Sequence, residues 1–319
     1  MLGASTPLPF DPAVLLRAGA LRVAGVTPGA AEYVRVRHGI WMLRTDWDPL
    51  TPVQRHAAFV HATAVRCDTD HPPVFSHTSA AAVWGLPGVD PWPARADALV
   101  SDERVRSSRL VVKHVGAEDS PREVGGLQVT SPARTVLDVA RSTSLANGVA
   151  AADHALRHGL CTASELTAEL AAVPRRAPGR SRATLVCDLA DPRSMSAGES
   201  LSRAQMFLLN LPRPDLQVPF SDVDGYVGDV DFGWEDIVGE FDGRVKYAVP
   251  EGLPGDRAGR VLWAEKTRED RLRRLGLQVA RWTWRDACDG RRLLSILMSA
   301  GVKPQRRSTW FGGSDPCVG

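Results

Sequence analysis

Apolar and polar residues alternate most cleanly between Tyr226 and Tyr247. Up to Trp234, the residues Tyr226, Val230, Phe232 and Trp234 fall on one side and Asp229 and Asp231 on the other. After Glu235-Asp236, Ile237 and Phe241 take one side and Glu240 and Asp242 the other. A period of two is that of a half-buried strand. The spacing therefore predicts two strands joined at Glu235-Asp236. In that hairpin Trp234 faces Ile237, Asp231 faces Glu240, and Asp229 faces Asp242.

The rest of the chain mixes helical and strand periods. Short helices are expected from Asp11-Pro12 to Ala18 and from Ser76 or Thr78 to Gly85, where glycine suits the end of a helix. Longer ones are expected over 52–66, from Ser131-Pro132 onward, and over 146–158, 162–172, 183–189, 257–275 and 291–298. Strands are expected at 33–43, 97–115, 122–130 and 277–284. Ser196-Ala-Gly-Glu199 has capping-box spacing and opens a further helix.

These elements predict an α/β (α+β) multidomain chain. Residues 1–48 form a small, degenerate winged-helix-like N-terminus and 49–173 a mixed α/β middle domain. Residues 174–190 are expected as a basic, Pro-rich linker with a connecting helix, 191–302 as a C-terminal α/β core, and 303–319 as a flexible tail. On the strand from Tyr33, the residues Arg35, Arg37 and His38 suit either phosphate contacts from a wing or a plain exposed hairpin face. Ser76, His77 and Ser79 invite a nucleophile reading, but no carboxylate stands in register with them, and helix capping covers them as well.

Composition adds little. The chain has 319 residues, 44% hydrophobic and 24% charged, with a net charge of +2, as an ordinary globular protein does. That charge does not by itself announce a nucleic-acid partner. The lysines are Lys113, Lys246, Lys266 and Lys303, and the other basic residues are arginine. The five cysteines lack zinc-ligand spacing, and their odd number argues against a disulfide scaffold. The start lacks the charged and apolar regions of a signal peptide, and no run is long and apolar enough for a membrane span. A reducing cytoplasm is expected.

The hairpin carries the chemistry. Four carboxylates on one face, with opposed Cβ atoms ~4.5–5.5 Å apart, repel one another. A divalent cation such as Mg²⁺ offsets that repulsion, since it takes carboxylate oxygens. Splayed strands with the acids in water are the alternative.

Asp231, then Glu240-Phe-Asp242-Gly, then Lys246, resembles the PD-(D/E)XK nuclease superfamily, in the branch allied to very-short-patch-repair endonucleases. Lys246 stands where many relatives have histidine, and Asp242 where a Glu-X-Lys motif has its lysine. The resemblance implies a restriction-endonuclease-like core with Mg²⁺ or Mn²⁺ held by Asp231, Glu240 and Asp242, and Glu199 approaching from a helix. Lys246, or Lys266 from a helix, serves the phosphate. Glu199 also reads as a simple cap.

Three further stretches resemble the AbiEi antitoxin family of type IV toxin–antitoxin systems. They are Val34-Arg-Val-Arg-His-Gly-Ile-Trp41, Ser76-His-Thr-Ser-Ala-Ala-Ala-Val-Trp-Gly-Leu-Pro87 and Val129-Thr-Ser-Pro-Ala-Arg-Thr-Val-Leu-Asp138, within roughly residues 10–170. In that family an N-terminal winged helix binds DNA and represses transcription, and the partner is a nucleotidyltransferase toxin. Two functions are therefore expected: a metal-dependent DNA endonuclease acting in phage defence or DNA repair, or a non-catalytic DNA-binding antitoxin and regulator.

Overall fold

Among the described residues, alternating stretches assemble into three sheets, one of them in the C-terminal third. The computed structural model describes residues 10–65, 67, 72–102, 104, 106–116, 118, 120–243 and 255–311, and side chains within 255–264 only at Trp263. The chain divides into two units, Met1–Ala190 and Asp191–Gly319. Its architecture is α+β.

Unit 1 begins with a 3-10 turn at Pro12–Val14, which Asp11 caps through Ala13 N–H at 2.9 Å. Strand β1 (Leu16–Arg17) and helix α1 (Ala18–Val23) follow. The continuous helix expected from Asp11-Pro12 to Ala18 is thus broken. Leu16 and Arg17 pair with Trp41 and Ile40, and ladder bonds there replace helical ones beside the weak helix former Gly19. Strands β2 (Tyr33–Arg37) and β3 (Ile40–Leu43) complete an antiparallel sheet of order β1-β3-β2. Arg37 turns its guanidinium toward the Phe59 ring, 5.9 Å away, so Arg37 does not face solvent as a wing contact would.

Helices α2 (Arg44–Trp47) and α3 (Pro52–Ala64) come next. Thr51 and Gln54 form a full capping box at the start of α3. The middle sheet holds β4 (Val74–Phe75), β5 (Ala96–Val100), β6 (Val111–Val115), β7 (Arg122–Val124) and β8 (Leu127–Val129), in the order β6-β5-β4-β8-β7. Helix α4 (His77–Trp84) leaves β4 and stops at Gly85, whose φ of 74° is left-handed. Val60, Phe75, Val83, Ala98 and Val129 share one apolar core. A second core joins Phe10 and Met42 to Ala57, Ala58 and Ala82. Residue 48 is therefore no boundary, since the N-terminal sheet shares its core with α3 and α4.

Helices α5 (Pro132–Ser142), α6 (Leu145–Arg157), α7 (Ala163–Ala172) and α8 (Arg180–Leu189) close unit 1. The stretch 174–190 is not a free linker. Arg182 donates to the carbonyls of Ala140 (2.9 Å) and Arg141 (2.6 Å) at the end of α5. Arg180 does the same for Leu170 and Val173 at the end of α7. The last carbonyls of a helix have no partner within it, and these arginines supply one.

Unit 2 holds α9 (Ala197–Leu208), β9 (Asp215–Asp222), β10 (Gly225–Trp234), β11 (Ile237–Asp242), α10 (Gly255–Arg274), β12 (Gln278–Thr283), α11 (Trp284–Cys288) and α12 (Gly290–Ser299). The sheet order is β12-β11-β10-β9, with β11 and β12 parallel. Trp282 donates to Ser202 of α9 at 2.8 Å, and Arg281 pairs with Glu265 and Glu269 of α10. Successive strand residues point to opposite faces, so the two helices cover opposite sides of the sheet. Gly239 makes room for Trp282 and Gly198 for Phe241: a Cβ would come within 2.6 and 2.0 Å of those rings. Leu272 is buried against Val230, Val238 and Leu277, whereas Leu275 is exposed. The segment 303–311 is not a flexible tail. Trp310 is 2% exposed and donates to Leu211 O at 2.8 Å, so one aromatic anchor outweighs the surrounding Pro/Gly/Ser composition.

Burial holds His56 and His61 of α3 far below the usual imidazole range, at about 4. The folded chain keeps both neutral while the unfolded chain protonates them near 6.5. Unfolding then takes up protons, so stability falls as pH drops from 6.5 toward 4. The upper bound is roughly 3 kcal/mol for each histidine. Urea unfolding at stepped pH is expected to show this loss, and His61→Gln to flatten it; equal midpoints at pH 7 and pH 4.5 would contradict it.

Candidate functional site

In unit 2 the register pairs Trp234 with Ile237 and Phe232 with Gly239. The paired register ends at Phe232–Gly239, and Asp231 and Glu240 lie just past it on neighbouring strands. Asp231 Oδ2 accepts the Phe241 N–H at 2.7 Å. Burial pushes its carboxyl above the ordinary range, and the neighbouring Glu240 charge adds to this. Bonds from Phe241 N–H and the Gln217 side chain oppose the shift.

Glu240 has a different environment. The parallel register sets it beside Arg281 of β12. Arg281 Nη2 lies 2.8 Å from Glu240 Oε2, and Arg268 of α10 pairs with Glu240 Oε1. Arg281 also reaches Glu265 (2.8 Å) and Glu269 (3.4 Å). These arginines supply the positive charge that the acidic face requires.

Glu199 stands at the start of α9, as expected. Its Oε1 accepts from Ser196 Oγ at 2.8 Å and its Oε2 from Met195 N–H at 2.8 Å. A third donor is Gln217 Nε2, at 3.1 Å. Gln217 lies between the pairs Leu216–Phe232 and Val218–Val230, which sets it opposite Asp231. Its φ of +54° leaves the extended region, a conformation that costs about 1–3 kcal/mol and needs support. Its amide supplies that support by joining Glu199 to Asp231.

Asp242 ends β11 beside Thr283 and is half-buried. Lys246 lies outside the described residues. Lys266 is exposed on α10; Arg268, two residues on, takes the position over the carboxylates. Among the described residues, no group of three or more His, Cys, Asp or Glu side chains is arranged to hold a metal. The donor set as built does not fit Mg²⁺ or Mn²⁺, because arginine already pairs with Glu240 and helix capping engages Glu199.

Gln217, Arg268 and Arg281 had gone unrecognised in the sequence. Two of them carried a signal. Arg281 alternates with the buried Ala280 and Trp282, and Arg268 sits one turn before the buried Leu272.

Unit 1 gathers a second polar cluster, where β4 meets α4. Ser76 occupies the cap position of α4 without a capping bond. Its Oγ lies 2.9 Å from His77 Nδ1. The carboxylates missing from the local sequence come from elsewhere. Asp138 of α5, 1% exposed, lies 3.8 Å from His77 Nδ1, and Arg134 Nε meets both its oxygens at 3.1 Å. Asp97 of β5 accepts from Thr78 Oγ1 at 2.5 Å and bonds His114 Nε2 at 2.8 Å. Burial works against the Asp97 charge, yet the His114 and Thr78 bonds hold its carboxyl below the ordinary range. The His77 and His114 rings stack with centroids 3.7 Å apart. Burial lowers His77 despite the pull of Asp138. Ser76 is 0% exposed, so it presents no nucleophile to a substrate. Trp84 Nε1 also donates to Thr130 O at 3.0 Å. The two motifs at 76–87 and 129–138 therefore form one contact.

No helix among the described residues is long and apolar enough to cross a membrane. Residues 77–186 match the family model of the AbiEi antitoxin C-terminal domain. That stretch holds His77, Asp97, His114 and Asp138. Two curated proteins of Mycobacterium tuberculosis are similar to this chain: the uncharacterized protein Rv2248 of strain H37Rv and the uncharacterized protein MT2308 of strain CDC 1551. Each is 33% identical over 172 residues, covering 53% of this chain and 59% of the relative. The chain thus spans about three-fifths of the length of the curated relatives it matches. No solved structure matches.

Replacing the bridging amide tests the Glu199–Gln217–Asp231 connection. In Gln217→Leu the Asp231 titration midpoint, followed by carboxyl NMR, is expected to rise further, since a bond that favours the charged form is lost. A midpoint unchanged or lowered would show that the amide does not hold Asp231.

Proposed function

We propose that this chain is an AbiEi-type antitoxin and DNA-binding regulator that acts in the cytoplasm. The observation that carries this reading is the match of residues 77–186 to the AbiEi antitoxin C-terminal domain. The internal pairing of Glu240 supports it, because carboxylates neutralised by Arg268 and Arg281 suit a platform better than a reaction centre. The toxin partner is a nucleotidyltransferase, as the family resemblance implies. DNA contact falls to the N-terminal hairpin, where Arg35 is exposed and lies 2.5 Å from His38 Nδ1.

A second reading keeps the nuclease chemistry in unit 2. It is favoured by one arrangement: Gln217 links Glu199 to Asp231, and the Glu240 charge acts on the Asp231 carboxyl from the neighbouring strand. On this reading Asp231 and Glu240 would hold Mg²⁺ or Mn²⁺, which would supply charge for phosphodiester hydrolysis, only if Glu240 were free of Arg268 and Arg281.

Co-expression separates the two. Cells producing a nucleotidyltransferase toxin encoded beside this gene are expected to resume growth when this chain is supplied. The purified chain is expected to shift its own upstream DNA, and Arg35→Ala to weaken that shift several-fold. Continued growth arrest, together with Mg²⁺-dependent cleavage of the same DNA, would reverse the preference.

A further inference from the structure

We propose that the stacked rings of His77 and His114 are a proton-operated latch between α4 and β6. The latch is closed while the pair carries at most one proton and opens when both rings are protonated. The rings lie face to face, with 3.7 Å between centroids and 16° between planes. His77 is the first residue of α4, and His114 stands in β6, which ends the sheet order and pairs with β5. Both side chains are half-buried.

The latch holds a strained turn. His77 has a φ of +50°, in the left-handed region, and a residue other than glycine stays there only where its surroundings hold it. Ser76 occupies the cap position without a capping bond, and its Oγ lies 2.9 Å from His77 Nδ1 instead. Thr51 and Ser131 cap their helices through their own side chains. At α4 the contacts of the His77 ring take that place, so the first turn depends on them.

Charged groups reach the stack from each neighbouring element. From β5 comes Asp97, bonded to His114 Nε2 at 2.8 Å. From α5 come Asp138, 3.8 Å from His77 Nδ1, and Arg134, which meets both Asp138 oxygens at 3.1 Å. Arg141 Nη1 lies 4.0 Å from Asp138, and Glu118 and Glu169 act on Arg134 as well. From α3, His56 feels the Asp97 charge. A proton on His114 is matched by Asp97 at bonding distance. Burial opposes a second proton, on His77, and the His114 and Arg134 charges add to this, while Asp138 and Asp97 pull the other way without prevailing. Two imidazolium rings at this distance repel each other, and swinging His77 into water relieves both the repulsion and the burial. Opening therefore takes up a proton. It gains as pH falls below the ordinary imidazole value of 6.5, and the latch stays shut above it. The stack lies within residues 77–186, and the inference does not depend on the antitoxin reading.

The test is NMR of the full chain with labelled histidine from about pH 8 to about pH 5, together with amide hydrogen exchange over the same range. In the wild type, amides in the first turn of α4 are expected to lose protection as His77 titrates, ahead of those in α6. The acid loss expected from His56 and His61 is global and reaches α6 equally, so the order of loss separates the two effects. In His114→Gln, whose amide still donates to Asp97, the His77 midpoint is expected to rise by about one pH unit or more, because the like charge across the stack is gone. The first turn of α4 is then expected to keep its protection at the pH where the wild type loses it. Loss of protection in α4 and α6 together in the wild type overturns the proposal, and that measurement needs no variant. A His77 midpoint unmoved in folded His114→Gln overturns it too, since burial alone then sets the titration.

Discussion

A carboxylate withdrawn from water must find donors, because an unpaired buried charge is far more costly than any single contact in the fold is stabilising. Both units are built around that constraint. In unit 1, Asp97 joins α4 to the middle sheet: Thr78 and His114 bond its side chain, and its own N–H donates to Ser79 Oγ at 2.8 Å. Asp138 ties α5 back to the start of α4 through His77, with Arg134 closing the other side. In unit 2, Glu240 holds one face of the sheet to α10, and Glu199 holds the start of α9 to β9. Apolar packing fills the spaces between these points. The positions of the helices over the sheets follow in large part from where the acids find partners.

Local patterns in the sequence carried much of this. The hairpin register through Trp234 and Ile237 was legible because an alternating run fixes which residues can face each other. The helix start at Ser196 was legible because the cap and Glu199 lie three residues apart, and the one at Ser131 because a proline follows the cap. What stayed hidden was distant pairing. His77 and Asp138 belong to separate motifs, and no spacing rule connects them. Arginine was passed over for lysine because lysine is scarce here, yet the guanidinium, with several donors in a fixed plane, is the better partner for a half-buried carboxylate. Trp310 was lost in a tail whose composition reads as disordered. Composition averages over a segment, and one buried indole is enough to anchor it.

The same residues can be read as a platform or as a reaction centre, and the difference lies in the counter-charge. Four acidic residues in an alternating hairpin call for positive charge, and a metal or an arginine pair answers equally well at the level of sequence. The structure supplies Arg268 from a helix and Arg281 from the neighbouring parallel strand. A fixed internal ion pair costs no metal and makes stability independent of one.

Calorimetric titration of Mg²⁺ into the metal-free full chain tests this most directly. With Glu240 held by arginine, the expected result is no saturable heat, in the wild type and in Glu240→Gln alike. A one-to-one binding curve in the wild type that disappears in Glu240→Gln would contradict the arginine-paired face and make Glu240 a metal ligand.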